Sequence, residues 1–216
     1  MPVLTVDIWF DLVCPWCHIG ERRWAAALAG FEHADAVQVR WHSFELDPHG
    51  SREAGATIPQ RMQQDLGLSA EQAAEGVASL TRLAAGLGLT YRLEQARPVN
   101  SFDAHRLLHA AAAHDLGDRV RERLMRAYTG EGAHLADHAT LVALAADAGF
   151  PAEDAQALLQ GDDHADAVRA DHDQARRHGV TGVPSFILAG QRRIAGAQPT
   201  QVLGQELHRA WRVTTR

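Results

Sequence analysis

Val3-Leu4-Thr5-Val6-Asp7-Ile8-Trp9-Phe10, then Asp11-Leu12-Val13, then Cys14-Pro15-Trp16-Cys17-His18-Ile19-Gly20: this opening run sets the fold. Its first eight residues read as a strand, with Leu4, Val6, Ile8 and Phe10 on one face. Val3 and Trp9 make the other face partly apolar, as in a strand covered on both sides in an α/β sheet. After Cys17 the apolar residues Ile19, Trp24, Ala27 and Leu28, with Trp16 before them, recur at helix spacing until Gly30 stops them. Val37 to Phe44 then alternates again, with Val37, Val39 and Trp41 on one side, as a second strand. Strand, helix and strand make a βαβ unit, and its Cys-x-x-Cys stands at the turn into the helix.

From residue 49 to 178 the character changes. Ala, Leu, Arg and Gln dominate, β-branched runs vanish, and the pattern predicts helices over 58–66, 70–86, 101–115, 117–130, 138–148, 152–160 and 163–178. The last carries Asp162, Asp163 and Asp166 early and Arg176-Arg177 late, in keeping with the helix dipole. Strand character returns at Ser185-Phe186-Ile187-Leu188, turns at Ala189-Gly190-Gln191, and resumes over Arg192 to Ala195. Pro199 suits the first turn of a final helix reaching Arg212. The expected architecture is α/β: a sheet domain of residues 1–48 and 179–216, discontinuous in sequence, with an all-helical domain of residues 49–178 inserted.

Composition narrows the chemistry. The chain has 216 residues, 46% of them hydrophobic and 22% charged, which excludes a disordered chain. Cys14 and Cys17 are the only cysteines, so a disulfide scaffold and a four-cysteine zinc site are both excluded. All 21 basic residues are arginine, which removes a Schiff-base lysine and a phosphate-loop lysine. A formal charge of −6, without a basic block, argues against nucleic acid and anionic membrane as partners, and no apolar run is long enough to span a bilayer. With no signal segment read at the N-terminus, a cytoplasmic location is expected, where thiols are kept reduced.

Two cysteines separated by two residues at a helix start can close a disulfide with little backbone movement. Cys14, at or beside the first helical position, meets unpaired N–H groups and the positive end of the dipole, which favour a thiolate. Pro15 suits that first turn. Cys17, one turn further in, is expected to be more buried and to resolve a mixed disulfide formed on Cys14. Zinc completed by histidines is a weaker reading: of the 13 histidines, the pairs His105/His109 and His134/His138 lie in alanine-rich helices and read as surface residues. Cys14-Pro15-Trp16-Cys17-His18 also matches the c-type haem pattern, but its place after a strand in a chain without an export signal argues against haem. No metal site is expected. Further along, in Gly179-Val180-Thr181-Gly182-Val183-Pro184-Ser185-Phe186, Pro184 stands just before a strand. It reads either as a plain trans proline opening that strand, or as a cis bond exposing the Val183 backbone to an extended partner.

These stretches, with Phe44-Glu45-Leu46-Asp47-Pro48, Pro98-Val99-Asn100-Ser101-Phe102-Asp103-Ala104-His105-Arg106 and Gly196-Ala197-Gln198-Pro199, resemble the DsbA-like thioredoxin-fold family, and within it the cytoplasmic FrnE-type branch. The resemblance implies a thioredoxin fold with a large inserted helical domain, and a cis Val183-Pro184 peptide packed against the Cys14–Cys17 loop. It implies a thiol–disulfide oxidoreductase or isomerase acting on protein or small-molecule thiols and disulfides, with Cys14 as nucleophile and Cys17 resolving. Trp16 would tune the redox potential, and His18 would either assist the Cys14 thiolate or sit on the helix surface. Val183 and Pro184 would meet substrate. Asn100, with Arg106, would line a substrate cleft or seat the helical domain, and Glu45 is expected in a solvated loop. No cofactor is expected, with glutathione open as a co-substrate, and the chain is expected to be a monomer or homodimer. Kappa-class glutathione transferases and 2-hydroxychromene-2-carboxylate isomerases are related but characteristically carry serine where Cys14 stands. A glutathione-dependent isomerase or transferase for a small aromatic metabolite is therefore the alternative.

Overall fold

The computed structural model describes residues 2–215, and among them it has four strands and nine α-helices. β1 (Leu4–Phe10) lies inside a sheet of order β2-β1-β3-β4. It pairs in parallel with β2 (Val37–Ser43), with Leu4 opposite Val37 and Phe10 opposite Ser43. On its other side it runs antiparallel to β3 (Ser185–Leu188), which forms a hairpin with β4 (Arg192–Ala195). The parallel pair needs a crossover, and α1 (Pro15–Ala29) supplies it.

Alternation along β1 divides the core. Leu4, Val6 and Ile8 pack with Phe186, Leu188 and Ile194 on one face, under Trp24, Ala27 and Phe31 and under Leu203, Leu207 and Ala210 of α9 (Thr200–Thr214). Trp9 points to the other face and meets Ile187, Val180 and Ala175. Burial on both faces, inferred from the apolar run, is therefore present.

The helical segments are α2 (Ile58–Leu66), α3 (Ala70–Ala85), α4 (Phe102–Ala113), α5 (Gly117–Arg126), α6 (His138–Asp147), α7 (Ala152–Gln160) and α8 (Ala165–Arg177). Their ends follow local rules: Ser69 accepts from the Gln72 N–H at 3.1 Å while Gln72 accepts from the Ser69 N–H at 2.8 Å, a reciprocal cap on α3. The expected helix over 117–130 instead changes pitch, because Ala127–Glu131 forms a π turn. Within it the Thr129 carbonyl accepts the Arg92 N–H at 2.7 Å. Buried Arg106 donates to the carbonyls of Leu158, Gly161 and Asp163 and to the Asp103 carboxylate, tying α4 to the end of α7 and the segment after it.

By compactness the chain divides into residues 1–46 with 170–216, and residues 47–169. Sequence character alone puts the second boundary at 178/179. The difference comes from α8, whose later residues serve the sheet. Asp171 is the reason: its carboxylate accepts the Ser43 N–H at 2.8 Å and pairs with His42 Nδ1 at 2.8 Å, while its carbonyl accepts the Trp9 indole N–H at 3.2 Å. His42 Nε2 meets Asp7 at 2.9 Å, and the imidazole stacks on Trp9 with centroids 4.5 Å apart. No helix among the described residues is long and apolar enough to cross a membrane.

Both ring nitrogens of His42 face carboxylate oxygens, which only accept, so the charged imidazolium is the form that satisfies them. Burial by itself would lower the His42 pKa, but the hydrogen bonds and charges of Asp171 and Asp7 outweigh it and hold it above 6.5. A raised folded-state pKa contributes stability that is full below the unfolded histidine value and is lost as pH rises through the folded value. Denaturation midpoints measured from acid-neutral to alkaline pH should therefore fall across that window in the wild type. His42→Gln should be less stable at the acid end and should lack this part of the slope.

Candidate active site

Cys14 caps α1: its backbone is extended (φ −105°, ψ 108°), and Pro15 follows in the first turn. Its carbonyl accepts the Cys17 N–H at 2.9 Å, closing that turn and bringing the two cysteines together. Both are free thiols and both are buried, Cys17 the more completely at 1% exposure against 6%. Burial pushes the Cys17 thiol well above the ordinary range, and the hydrogen bond and charge of Cys14 push the same way; only the Asp11 amide works against them. The chemistry is asymmetric: Cys14 stands at the positive end of a helix, Cys17 inside it.

Trp16, between the cysteines, is 46% exposed. His18 is buried, which excludes the helix-surface reading for that residue. The Val183-Pro184 peptide is cis, as the family resemblance implied, and the Val183 carbonyl is 3.9 Å from Cys14 Sγ. Sequence positions 14 and 183 thus meet at one sulfur. Glu45, expected in solvent, is buried; its carboxylate is 3.4 Å from His172 Nε2, which also accepts the Glu45 N–H at 3.2 Å. Asn100 uses its side chain inside the helical unit, where its amide donates to the Pro48 carbonyl at 3.2 Å and accepts the Phe102 N–H at 3.1 Å. Arg106 is likewise engaged with that unit's backbone, as described above. His105 is fully buried rather than on a surface, His134 bonds to the Arg52 carbonyl, and His138 to Asp103.

Two residues of the site carry no chemical signature in the sequence. Asp11 is fully buried, and its N–H donates to Cys17 Sγ at 3.4 Å. A buried acid cannot be told from a turn-forming one by local sequence. Gly20, one turn beyond Cys17, lies against Pro184: an added Cβ would stand 2.8 Å from the proline Cγ and 3.3 Å from its Cβ. Mid-helix glycine reads as a cost of about 1 kcal/mol relative to alanine until the facing ring is known.

A strand–Cys-x-x-Cys–helix turn facing a cis-proline loop, on a four-stranded mixed sheet with a helical insertion, defines a thioredoxin-fold thiol oxidoreductase. The chain belongs to the DSBA-like thioredoxin domain family, whose model matches residues 5–208. A probable DsbA oxidoreductase from Streptomyces coelicolor superposes with a TM-score of 0.93 at 38% identity, over 96% of this chain and 90% of that one. A 2-hydroxychromene-2-carboxylate isomerase follows the same fold (TM-score 0.67, 17% identity, 98% of both chains). So does the cytosolic disulfide reductase DsbM from Pseudomonas aeruginosa with GSH (TM-score 0.61, 21% identity, 98% of both chains). No curated protein matches the chain significantly.

Gly20→Ala should act on this site through packing. The methyl gains helix propensity but overlaps a rigid ring, so a net destabilisation of about 1–3 kcal/mol is expected, read as a lower thermal midpoint. The same variant should react differently from wild type at Cys14, measured by alkylation rate, because the ring it displaces adjoins Val183.

Proposed function

We propose that the protein is a dithiol–disulfide oxidoreductase or isomerase of the FrnE-type branch, with Cys14 as nucleophile and Cys17 as resolving thiol. The observation that carries this reading is the unequal setting of two adjacent thiols. The Cys14 thiolate attacks a substrate disulfide at the helix N-terminus, where a developing anion is favoured. A mixed disulfide forms, and Cys17 displaces the substrate thiol. Run backwards, the same steps oxidise a dithiol, and the direction follows the potential of the pair against its surroundings.

In this reading Pro15 holds the first turn, exposed Trp16 meets the incoming substrate, and buried His18 supports the helix start from within. The Val183 backbone, beside Cys14 Sγ, pairs with an extended segment flanking the substrate sulfur, and Pro184 shapes that surface. Substrates are protein or small-molecule disulfides in the cytoplasm, with glutathione as a co-substrate and no bound cofactor. The neighbour named as a cytosolic disulfide reductase with GSH supports the location and the glutathione reading. The likeness to a 2-hydroxychromene-2-carboxylate isomerase favours a second reading, a glutathione-dependent isomerase for a small aromatic compound. The intact cysteine pair favours the first.

Cys14→Ser should reduce insulin reduction and dithiol oxidation to background. Cys17→Ser should accumulate a mixed disulfide on Cys14, seen as an adduct by mass spectrometry. Disulfide exchange persisting in the Cys14→Ser variant would sink the mechanism. Isomerisation of an aromatic substrate that needs glutathione and survives in the double Cys→Ser variant would establish the second reading instead.

A further inference from the structure

Between the end of β1 and the capping cysteine, Asp11 makes contact with both thiol-bearing residues. Its carbonyl accepts the Cys14 N–H at 3.2 Å and its own N–H donates to Cys17 Sγ at 3.4 Å. Its side chain braces the same loop. Oδ1 accepts the Val13 N–H at 3.2 Å and Oδ2 accepts the Leu46 N–H at 2.8 Å. Leu46 is a fixed point, because the segment leading to it is tied down residue by residue. The Ser43 N–H goes to Asp171 at 2.8 Å, the Phe44 N–H to the Phe10 carbonyl at 3.0 Å and the Glu45 N–H to His172 at 3.2 Å.

The choice of side chain follows. Two amides converge on residue 11 from different segments, so the brace needs two acceptor atoms on a short stem. A carboxylate supplies both, whereas an asparagine would turn an NH₂ toward one of the two amides. That choice has a consequence at the sulfur: the Asp11 charge opposes a thiolate on Cys17, while the Asp11 amide favours one.

Resting on the thiol–disulfide reading above, we infer that Asp11 is a positioning residue for Cys17, holding its sulfur through the backbone N–H for attack on the mixed disulfide at Cys14. In that step the Cys17 thiol gives up its proton and its sulfur forms a bond to Cys14 Sγ. The bond from Cys14 Sγ to the substrate sulfur breaks, and the electron pair leaves on the substrate sulfur. Cys17 is oxidised from thiol to disulfide sulfur, Cys14 stays at the disulfide level it reached in the mixed disulfide, the substrate sulfur is reduced to a thiolate, and the released proton is taken up by that thiolate or by solvent. Asp11 lowers the barrier to this second step and takes no part in the first attack by Cys14.

The reduced enzyme with Ellman's reagent separates the two steps. Attack by Cys14 releases one thionitrobenzoate, and resolution by Cys17 releases the second. In Asp11→Asn the first phase should keep the wild-type rate, while the plateau of the second phase should fall about tenfold, the scale of one buried hydrogen bond to a charged group. The pH midpoint of the second phase should move lower, because an opposing charge beside Cys17 is gone; with Cys14 held in the mixed disulfide, Asp11 is the titratable group left acting on that sulfur. Asp11→Ala should slow the second phase further, and Asp11→Asn, the closer isostere, decides the matter if the alanine variant does not fold. A second-phase plateau within about twofold of wild type in folded Asp11→Asn overturns the inference, as does an equal slowing of both phases. A wild-type enzyme that releases only the first thionitrobenzoate overturns the thiol–disulfide reading itself, and the inference with it.

Discussion

The parallel pairing of β1 with β2 is the constraint on which the site depends. Parallel neighbours cannot be joined by a tight turn, so the chain leaving β1 at Phe10 must cross over through a helix before β2 starts at Val37. The loop between strand end and helix start is then short, and whatever residue caps the helix lies just beyond the end of a strand buried on both faces. Cys14 is that residue. The second half of the sheet returns antiparallel through β3, whose first residue, Ser185, follows Pro184 and pairs with Trp9. The Val183 carbonyl consequently arrives at the strand end where the cysteines begin. Two stretches about 170 residues apart in sequence meet because one strand lies between their partners.

Much of this is legible from local patterns. Strand alternation and the Gly-Pro punctuation place β3, β4, α2 and α7 at their observed bounds, because their ends are set by nearby residues. The cysteine pair is legible because its spacing is itself the chemistry. What local patterns miss lies where a partner comes from elsewhere in the chain. His42 reads as one more residue of an alternating strand, yet its two partners, Asp7 and Asp171, lie 35 and 129 positions away. Glu45 reads as a loop acid until His172 is beside it. The π turn at Ala127–Glu131 keeps the apolar periodicity of a helix, and the Arg92 amide that donates to its Thr129 carbonyl is far upstream.

The domain boundary shows the same limit at larger scale. Composition changes at residue 179, in the loop between α8 and β3, but a helix can change allegiance along its length without changing composition. Within α8, Arg169 lies over the Phe102 ring at 5.7 Å, while Asp171 and Ala175 serve the sheet. The division at 169/170 falls between these two sets of side-chain partners, which hydrophobic patterning does not encode.

The two thiols differ less in exposure than in what surrounds them. Cys14 and Cys17 are both largely buried. The helix sets them apart by position: Cys14 is the cap residue, at the N-terminus where the dipole is strongest, and Cys17 is the third residue of the helix. Cys17 is subject to desolvation, the neighbouring sulfur, and the charge and backbone amide of Asp11. In the mechanism proposed above, a thiol held in that way attacks second: the mixed disulfide on Cys14 brings the electrophile to it, one helical turn away. On that reading the order of reaction follows from where the helix begins, and the helix is capped at Cys14, just after β1 ends at Phe10.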